Sequence, residues 1–301
     1  MSWRSVVISR PARLRREHFS LAIEQEKTAF VPFEDIAVIV LNHREITLNH
    51  SVLSACGEYG ISLFATGDTH QPSGVFLPFL QHSRATKWQR LQMDLPRPVA
   101  KQTWAAIVRR KISNQAICLQ LTGCDGADRL DSYSRRVRSG DTGNLEGQAA
   151  SFYFTQLFGK HFHRGQARFA NAALDYGYAI LRGAIARGLV AHGLLPSIGL
   201  FHSSEQNAFN LADDVIEPFR PLVDLFVSKM IPQPDDELHP ENKIALVSLL
   251  NMDMGMPRGK MSVLSAIEQT IESLARIYEG GSETLIELPV LIGVEQHRLE
   301  C

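Results

Sequence analysis

The sequence predicts an α+β protein, with a small β-rich N-terminal domain joined by a linker to a larger all-helical C-terminal domain. Three observations carry that reading. The first 80 residues hold short β-branched or alternating apolar runs separated by turn residues and prolines. From about residue 84 the apolar residues recur at three- and four-residue steps. Between the two regions lies a polar, basic stretch that ends in Pro96-Arg97-Pro98. The expected boundaries are residues 1–80 for the β-rich domain, 81–98 for the linker and 99–301 for the helical domain.

In chain order, Val6-Val7-Ile8 is a short β-branched strand, and Phe19, Leu21 and Ile23 alternate as one buried face of a strand requires. Ile36 to Leu41 is a continuous apolar run, the pattern of a strand covered on both faces. Asn42 to Glu45 make a turn into Ile46-Thr47-Leu48. A short helix near Ser51–Tyr59 and a strand at Ser62–Ala65 lead into a turn at Thr66-Gly67-Asp68-Thr69. Pro32, Pro72 and Pro78 suit turns or edge strands better than central ones.

Beyond the linker, Trp104, Ile107, Val108, Ile112, Ala116 and Leu119 mark one long amphipathic helix, with Pro96-Arg97-Pro98 stopping the segment before it. Asp141-Thr142 reads as the N-cap of a helix reaching about Phe158. Gln166 to His192 reads as a long buried helix whose small residues, among them Gly177, Gly183 and Ala184, permit close approach of other helices. Single helices are expected over Phe209–Met230 and about Met261–Ile277, with a loop from Ile231 to Glu237.

At 301 residues, 45% hydrophobic and 21% charged, the chain can bury a full core, which excludes intrinsic disorder. The most apolar helical stretch, Tyr178 to Leu195, is interrupted by Arg182 and Arg187, so no membrane span is expected. The N-terminus has too short an apolar run, and too many arginines after it, for a secretory signal. Cys56, Cys118, Cys124 and Cys301 form neither a zinc pattern nor a disulfide framework, which favours a reducing cytoplasm.

The net charge of −1 conceals a strong asymmetry. Residues 84–138 hold 12 basic and 4 acidic side chains, whereas residues 139–301 hold 12 basic and 20 acidic. A basic segment of that kind can bind a polyanion even in a neutral protein, because salt screens distant charge within about 8–10 Å. It can equally be a solvated pair of Arg-rich helix faces.

Three places combine charge with an apolar helical surface. Glu146 shares a helix face with Ala150, Tyr153 and Leu157, so its carboxylate must be paired, hydrogen-bonded or metal-bound. A partner arginine or the first turn of its own helix would serve. His202 sits in a Pro/Gly-containing loop, where an imidazole can act as ligand or base or do neither. Asp213, Asp214 and Glu217 follow on one helix; at about 100° per residue all three crowd one face. Like charges at that spacing repel, and a cation or an arginine would relieve them.

These stretches, Ser139 to Phe154, Gly199-Leu200-Phe201-His202 and Asn207 to Asp224, resemble the CRISPR-adaptation integrase family in order and spacing, and most closely its type II subgroup. That family is the metal-dependent subunit that inserts new spacers into a repeat array. The resemblance covers nearly the whole chain. It implies that Glu146, His202 and Glu217 are the metal ligands and catalytic residues, with Asp213 and Asp214 behind them. It implies Mg²⁺ or Mn²⁺ as cofactor, and attack of a DNA 3′-hydroxyl on a phosphodiester at the repeat boundary. The implied partners are double-stranded DNA (spacer precursor and repeat), a second copy of the chain in a homodimer, and a dimer of a smaller adaptation subunit. A type II accessory ring protein and an effector nuclease complete that set. Residues 1–80 would serve dimerisation and DNA contact. Lys111, Arg135, Arg136, Arg138 and Arg164 are the basic residues available near the active helix for phosphates. The competing readings are a stand-alone structure-specific metal-dependent DNA nuclease and a non-catalytic DNA-bridging scaffold.

Overall fold

A computed structural model describes residues 4–67, 72–78, 82–166, 168–232, 237–280 and 286–296. Asp68, Thr69, most of the expected 231–237 loop and Cys301 lie outside them. The N-terminal part contains strands β1 (Arg4–Ile8), β2 (Ala12–Glu17), β3 (Ser20–Glu24), β4 (Thr28–Pro32), β5 (Ile36–Leu41) and β6 (Ile46–Leu48), helix α1 (His50–Tyr59), and strands β7 (Ser62–Thr66) and β8 (Pro72–Phe76). They form two four-stranded sheets, one in the order β1-β5-β7-β8 and the other β4-β3-β2-β6. β1, β5 and β7 run parallel, which requires crossovers; the second sheet makes the first crossover and α1 the next.

The apolar run of β5 is covered on both faces, as its composition predicts. Ile36 and Ile39 join Leu14, Leu21, Phe33 and Val52 in one buried cluster. Val38 and Val40 join Phe64 in a second cluster, shared with the helices. Pro32 and Pro72 end and begin β4 and β8, the outer strands of their sheets, where a missing N–H costs least. The strand β2 has only Ala12 and Leu14 on its buried face, set among arginines.

The remainder comprises α2 (Ala85–Met93), α3 (Arg97–Thr122), α4 (Ala127–Arg136), α5 (Leu145–Phe158), α6 (Phe169–Ala191), α7 (Asn210–Val215), α8 (Arg220–Ser228), α9 (Pro240–Ser248), strands β9 (Asp253–Met256) and β10 (Gly259–Ser262), and α10 (Val263–Tyr278). Two expectations need correction. The C-terminal region is not all-helical, because β9 and β10 pair as an antiparallel hairpin. Pro96-Arg97-Pro98 does follow the end of the preceding helix at Met93, and Pro98 also serves in the first turn of α3, where its missing N–H has no helical partner in any case. The helix expected over 209–230 is broken into α7, a 3-10 turn at Glu217–Phe219 and α8, with Pro218 and Pro221 withholding two helical donors.

The expected linker contains α2, whose Gln92 amide donates to the carbonyls of Leu195 (2.9 Å) and Ile198 (2.7 Å). The small residues of α6 do more than admit other helices. A methyl group at Gly183 would fall 1.8 Å from the Phe64 ring of β7, so this glycine is what lets the sheet lie against the helix. Among the described residues no helix is long and apolar enough to cross a membrane.

Candidate metal centre

The site is assembled from α3, the start of α5, the loop before α7 and the 3-10 turn after it. α5 starts from an unusually tight turn in which Gly140, Asp141 and Asn144 all have left-handed backbone (φ 71°, 46° and 47°). The Asp141 carboxylate accepts from the amides of Leu145 (3.0 Å) and Glu146 (2.9 Å), and Asn144 Oδ1 from Gly147 (3.3 Å). The N-cap is thus Asn144 and not the expected Asp141-Thr142, and Asp141 adds a second cap from one turn further away. A Cβ at Gly147 would meet Asn144 Oδ1 at 2.8 Å, so the glycine after Glu146 makes room for this cap. The arrangement fixes Glu146 in the first turn, at the positive end of the helix dipole.

Glu146 Oε1 pairs with the ammonium of Lys111, on the inward face of α3. Lys111 is only 7% exposed, and its ammonium also pairs with Glu217 Oε2. Glu217 is 6% exposed, and its other oxygen, Oε1, accepts from Arg220 Nε at 3.0 Å. Burial presses the Glu217 carboxyl upward, but the charges of Arg220 and Lys111 outweigh it and hold the group below the usual glutamate range. Burial likewise works against the Lys111 ammonium, and Glu217 and Glu146 more than restore it, leaving its pKa raised. Oε2 of Glu217 is buried, and the Lys111 ammonium is the group against it.

His202 is placed by Asp214, whose carboxylate is fully buried in α7. Asp214 accepts from the amides of Leu200 (2.6 Å), Phe201 (3.0 Å) and His202 (3.2 Å), and lies 2.7 Å from His202 Nδ1. Four donors satisfy one carboxylate and tie the loop to the helix. A Cβ at Gly199 would come within 2.3 Å of the His202 carbonyl oxygen and 2.7 Å of Asp214 Oδ2, which accounts for the glycine in Gly-Leu-Phe-His. The Asp214 hydrogen bond raises the His202 pKa. It also makes Nδ1 the protonated nitrogen and leaves Nε2 as the one able to ligate. Phe201 stacks on Trp104 (4.5 Å, 2° between planes), and the imidazole stands edge-on to the same indole at 5.7 Å.

The sequence-predicted residues thus separate. Glu146 and Glu217 meet on one cation, and His202 stands close enough to Glu217 for each to affect the other's charge. Asp214 supports the imidazole, whereas Asp213 faces elsewhere, accepting from Asn207 (2.8 Å) and lying 3.8 Å from Arg182. Among the described residues no three His, Cys, Asp or Glu side chains form a ready metal cage. Lys111 stands between the two glutamates instead.

At that position Lys111, expected among the phosphate contacts, is buried and its charge is engaged by two carboxylates. Arg135, Arg136 and Arg138 are exposed. Arg164 is engaged with Asn171 (2.9 Å) and Asp175. Even so, the donor set suits a hard divalent ion: two carboxylates that converge on one position and an imidazole with a fixed free nitrogen.

Sequence reasoning missed the support beneath Glu217. The Arg220 guanidinium lies over the Tyr178 ring (4.5 Å), and the Tyr178 hydroxyl donates to Asp224, which also accepts from Tyr153 at 3.1 Å. The signal was present in the spacing, since Arg220 and Asp224 stand three and seven residues after Glu217. Burial pushes the Asp224 carboxyl up to about 6, against the pull of the two tyrosine hydroxyls, Arg220 and Lys111. The folded protein therefore keeps a proton between about pH 4 and 6 that the unfolded chain gives up. Its stabilising effect is present at low pH and lost as pH rises through about 6. Urea unfolding of Asp224→Asn should show the variant gaining on wild type by about 3 kcal/mol between pH 4 and 7. A difference that does not change with pH would contradict this account of Asp224.

A sequence model of the family described as CRISPR associated protein Cas1 matches residues 6–239. A relative from Neisseria meningitidis serogroup C (strain 8013), the CRISPR-associated endonuclease Cas1, is 41% identical over 304 residues, covering 100% of both chains. Among solved structures, a casposase bound to its integration product aligns with a TM-score of 0.75 at 17% identity, covering 95% of this chain and 92% of that one. A Cas6-RT-Cas1–Cas2 complex aligns with a TM-score of 0.71 at 18% identity, covering 94% of this chain and 36% of that one. With the match spanning most of the chain and a full-length relative at this identity, the chain belongs to the CRISPR-associated Cas1 family.

Proposed function

We propose that the chain is a divalent-metal-dependent DNA endonuclease/integrase that inserts spacer DNA into a CRISPR array by 3′-hydroxyl attack on a phosphodiester. The observation that carries this is the convergence of Glu146 and Glu217 on one cation, beside an imidazole whose Nδ1 is held by Asp214. Glu146, Glu217 and His202 would hold Mg²⁺ or Mn²⁺, which supplies charge stabilisation at the phosphate under attack. The protein's own groups do the rest. Asp214 fixes the tautomer and direction of His202, and Arg220 holds Glu217 Oε1 so that Oε2 faces the site. Arg135, Arg136 and Arg138, exposed near the start of α5, are suited to phosphate contacts along a duplex.

The relatives support this reading: one is a CRISPR-associated endonuclease, and the casposase is bound to an integration product. The neighbouring Cas1–Cas2 complex supports a smaller adaptation subunit as partner. A homodimer, a type II accessory ring protein and effector nuclease, a cytoplasmic site of action, and a working division into residues 1–80, 81–98 and 99–301 belong to the same proposal. Mixing the protein and its small partner with 3′-hydroxyl duplexes and a supercoiled repeat plasmid tests it. Joined products that require Mn²⁺ or Mg²⁺ are expected. Cleavage without joining would favour the stand-alone nuclease, and neither product would favour a scaffold.

A further inference from the structure

The described residues place a lysine where the proposed ion would go. Lys111 comes from the middle of α3, Glu146 from the start of α5 and Glu217 from the turn before α8, so three separate elements meet at one ammonium. Its side chain is 8% exposed, as is that of Glu217, so the Glu217 carboxylate could not be left there without a cation, whereas Glu146 is partly open to solvent. Both carboxylates are already engaged by cations, Glu146 by Lys111 and Glu217 by Lys111 and Arg220. A metal that reaches Glu217 Oε2 must therefore take the place of the ammonium on that oxygen.

The two cations on Glu217 differ in how they hold it. Arg220 donates to Oε1 from a guanidinium braced on Tyr178, whereas Oε2 is held only by the Lys111 ammonium. Oε2 is therefore the atom that can be released. Lysine also suits release, because its compact charge rides on a flexible stem, whereas an arginine fork would clamp both carboxylates.

We infer that Lys111 is the resident counter-ion of the metal centre: it holds Glu146 and Glu217 together in the metal-free protein and is displaced from Glu217 Oε2 when the metal binds. Lys111 thus sets metal affinity and is a positioning residue. This inference rests on the metal-centre reading above.

The test measures Mn²⁺ binding to the full chain without DNA, by titration calorimetry or by the free-ion electron paramagnetic signal. Lys111→Met should bind Mn²⁺ about tenfold more tightly than wild type, because a competing charge at the site is gone. Its metal-free melting temperature should fall, and Mn²⁺ should raise that temperature by more than it does for wild type. Lys111→Arg should bind no more tightly than wild type. A residue needed only for structure would weaken metal binding when removed, so affinity equal to or below wild type in a folded Lys111→Met overturns the inference.

Should that variant fail to fold, the wild type decides. The side-chain ¹⁵N signal of Lys111, identified by its absence in Lys111→Arg, should shift or vanish on saturation with Mg²⁺. An unchanged signal at saturation overturns the inference. If wild type and Glu146→Ala/Glu217→Ala bind Mn²⁺ alike, it is the metal-centre reading itself that fails.

Discussion

Glu217→Ala should abolish DNA joining, with a loss of at least about 10²–10³-fold, and should also destabilise the fold. The two effects have one origin. Glu217 is the buried acceptor for both Lys111 and Arg220, so its removal takes a ligand from the proposed ion and leaves the buried Lys111 and the part-buried Arg220 short of a partner. Breaking a buried pair in this way costs about 3–5 kcal/mol. Glu146→Ala should lose joining to the same extent with a much smaller change in stability, because Glu146 is partly exposed and solvent screens its pairing with Lys111. Strand-joining assays read the first effect and urea unfolding the second. Joining at the wild-type rate by either variant would remove that glutamate from the site.

Asp214 should give the second large effect, although its carboxylate is bonded to the histidine loop and not to Lys111. Asp214→Ala strips an acceptor from three backbone amides and one imidazole nitrogen at a fully buried position, which should cost several kcal/mol and loosen the segment 199–202. Asp214→Asn keeps the volume but not the charge, and its amide cannot accept from all four donors. In that variant His202 loses its fixed orientation, and joining should fall about 10–100-fold, the usual cost of removing the partner behind a metal-bound imidazole. Combining Asp214→Asn with His202→Ala should then add little to the loss from His202→Ala alone. Full additivity in joining assays would mean that Asp214 acts by another route.

Much of this architecture is legible in the sequence because patterning and burial agree there. The unbroken apolar run of β5 reports a strand covered on both faces, and the periodicity of Trp104 to Leu119 reports the long helix that carries Lys111. Agreement fails where a few residues serve two purposes. In β2 the arginines around Leu14 hide a strand, since one (Arg15) is spent on cross-strand pairing with Glu24. In β9 and β10, methionine and glycine take the place of β-branched residues, so the hairpin has little strand signature.

At the site, Glu146, His202 and Glu217 stand out because a carboxylate or imidazole among apolar neighbours needs a partner. Which partner it has is a tertiary fact. Lys111 sits in Arg109-Arg110-Lys111, and nothing local distinguishes the one basic residue that turns inward. Asp213 and Asp214 are adjacent and alike in the sequence, yet one faces Asn207 and Arg182 while the other anchors the histidine loop. The proline after Glu217 is the clearest local clue, because it forces the irregular turn that brings this glutamate to Lys111.

The central claim is that Glu146, His202 and Glu217 share one divalent ion. Crystals of the full chain soaked in Mn²⁺, with diffraction recorded at the manganese absorption edge, test it most directly. The account predicts a single anomalous peak at inner-sphere distance, roughly 2.0–2.2 Å, from oxygens of both glutamates and Nε2 of His202, with the Lys111 ammonium withdrawn from Glu217 Oε2. A saturated soak in which the manganese sits elsewhere while Lys111 still bridges the two glutamates would contradict it.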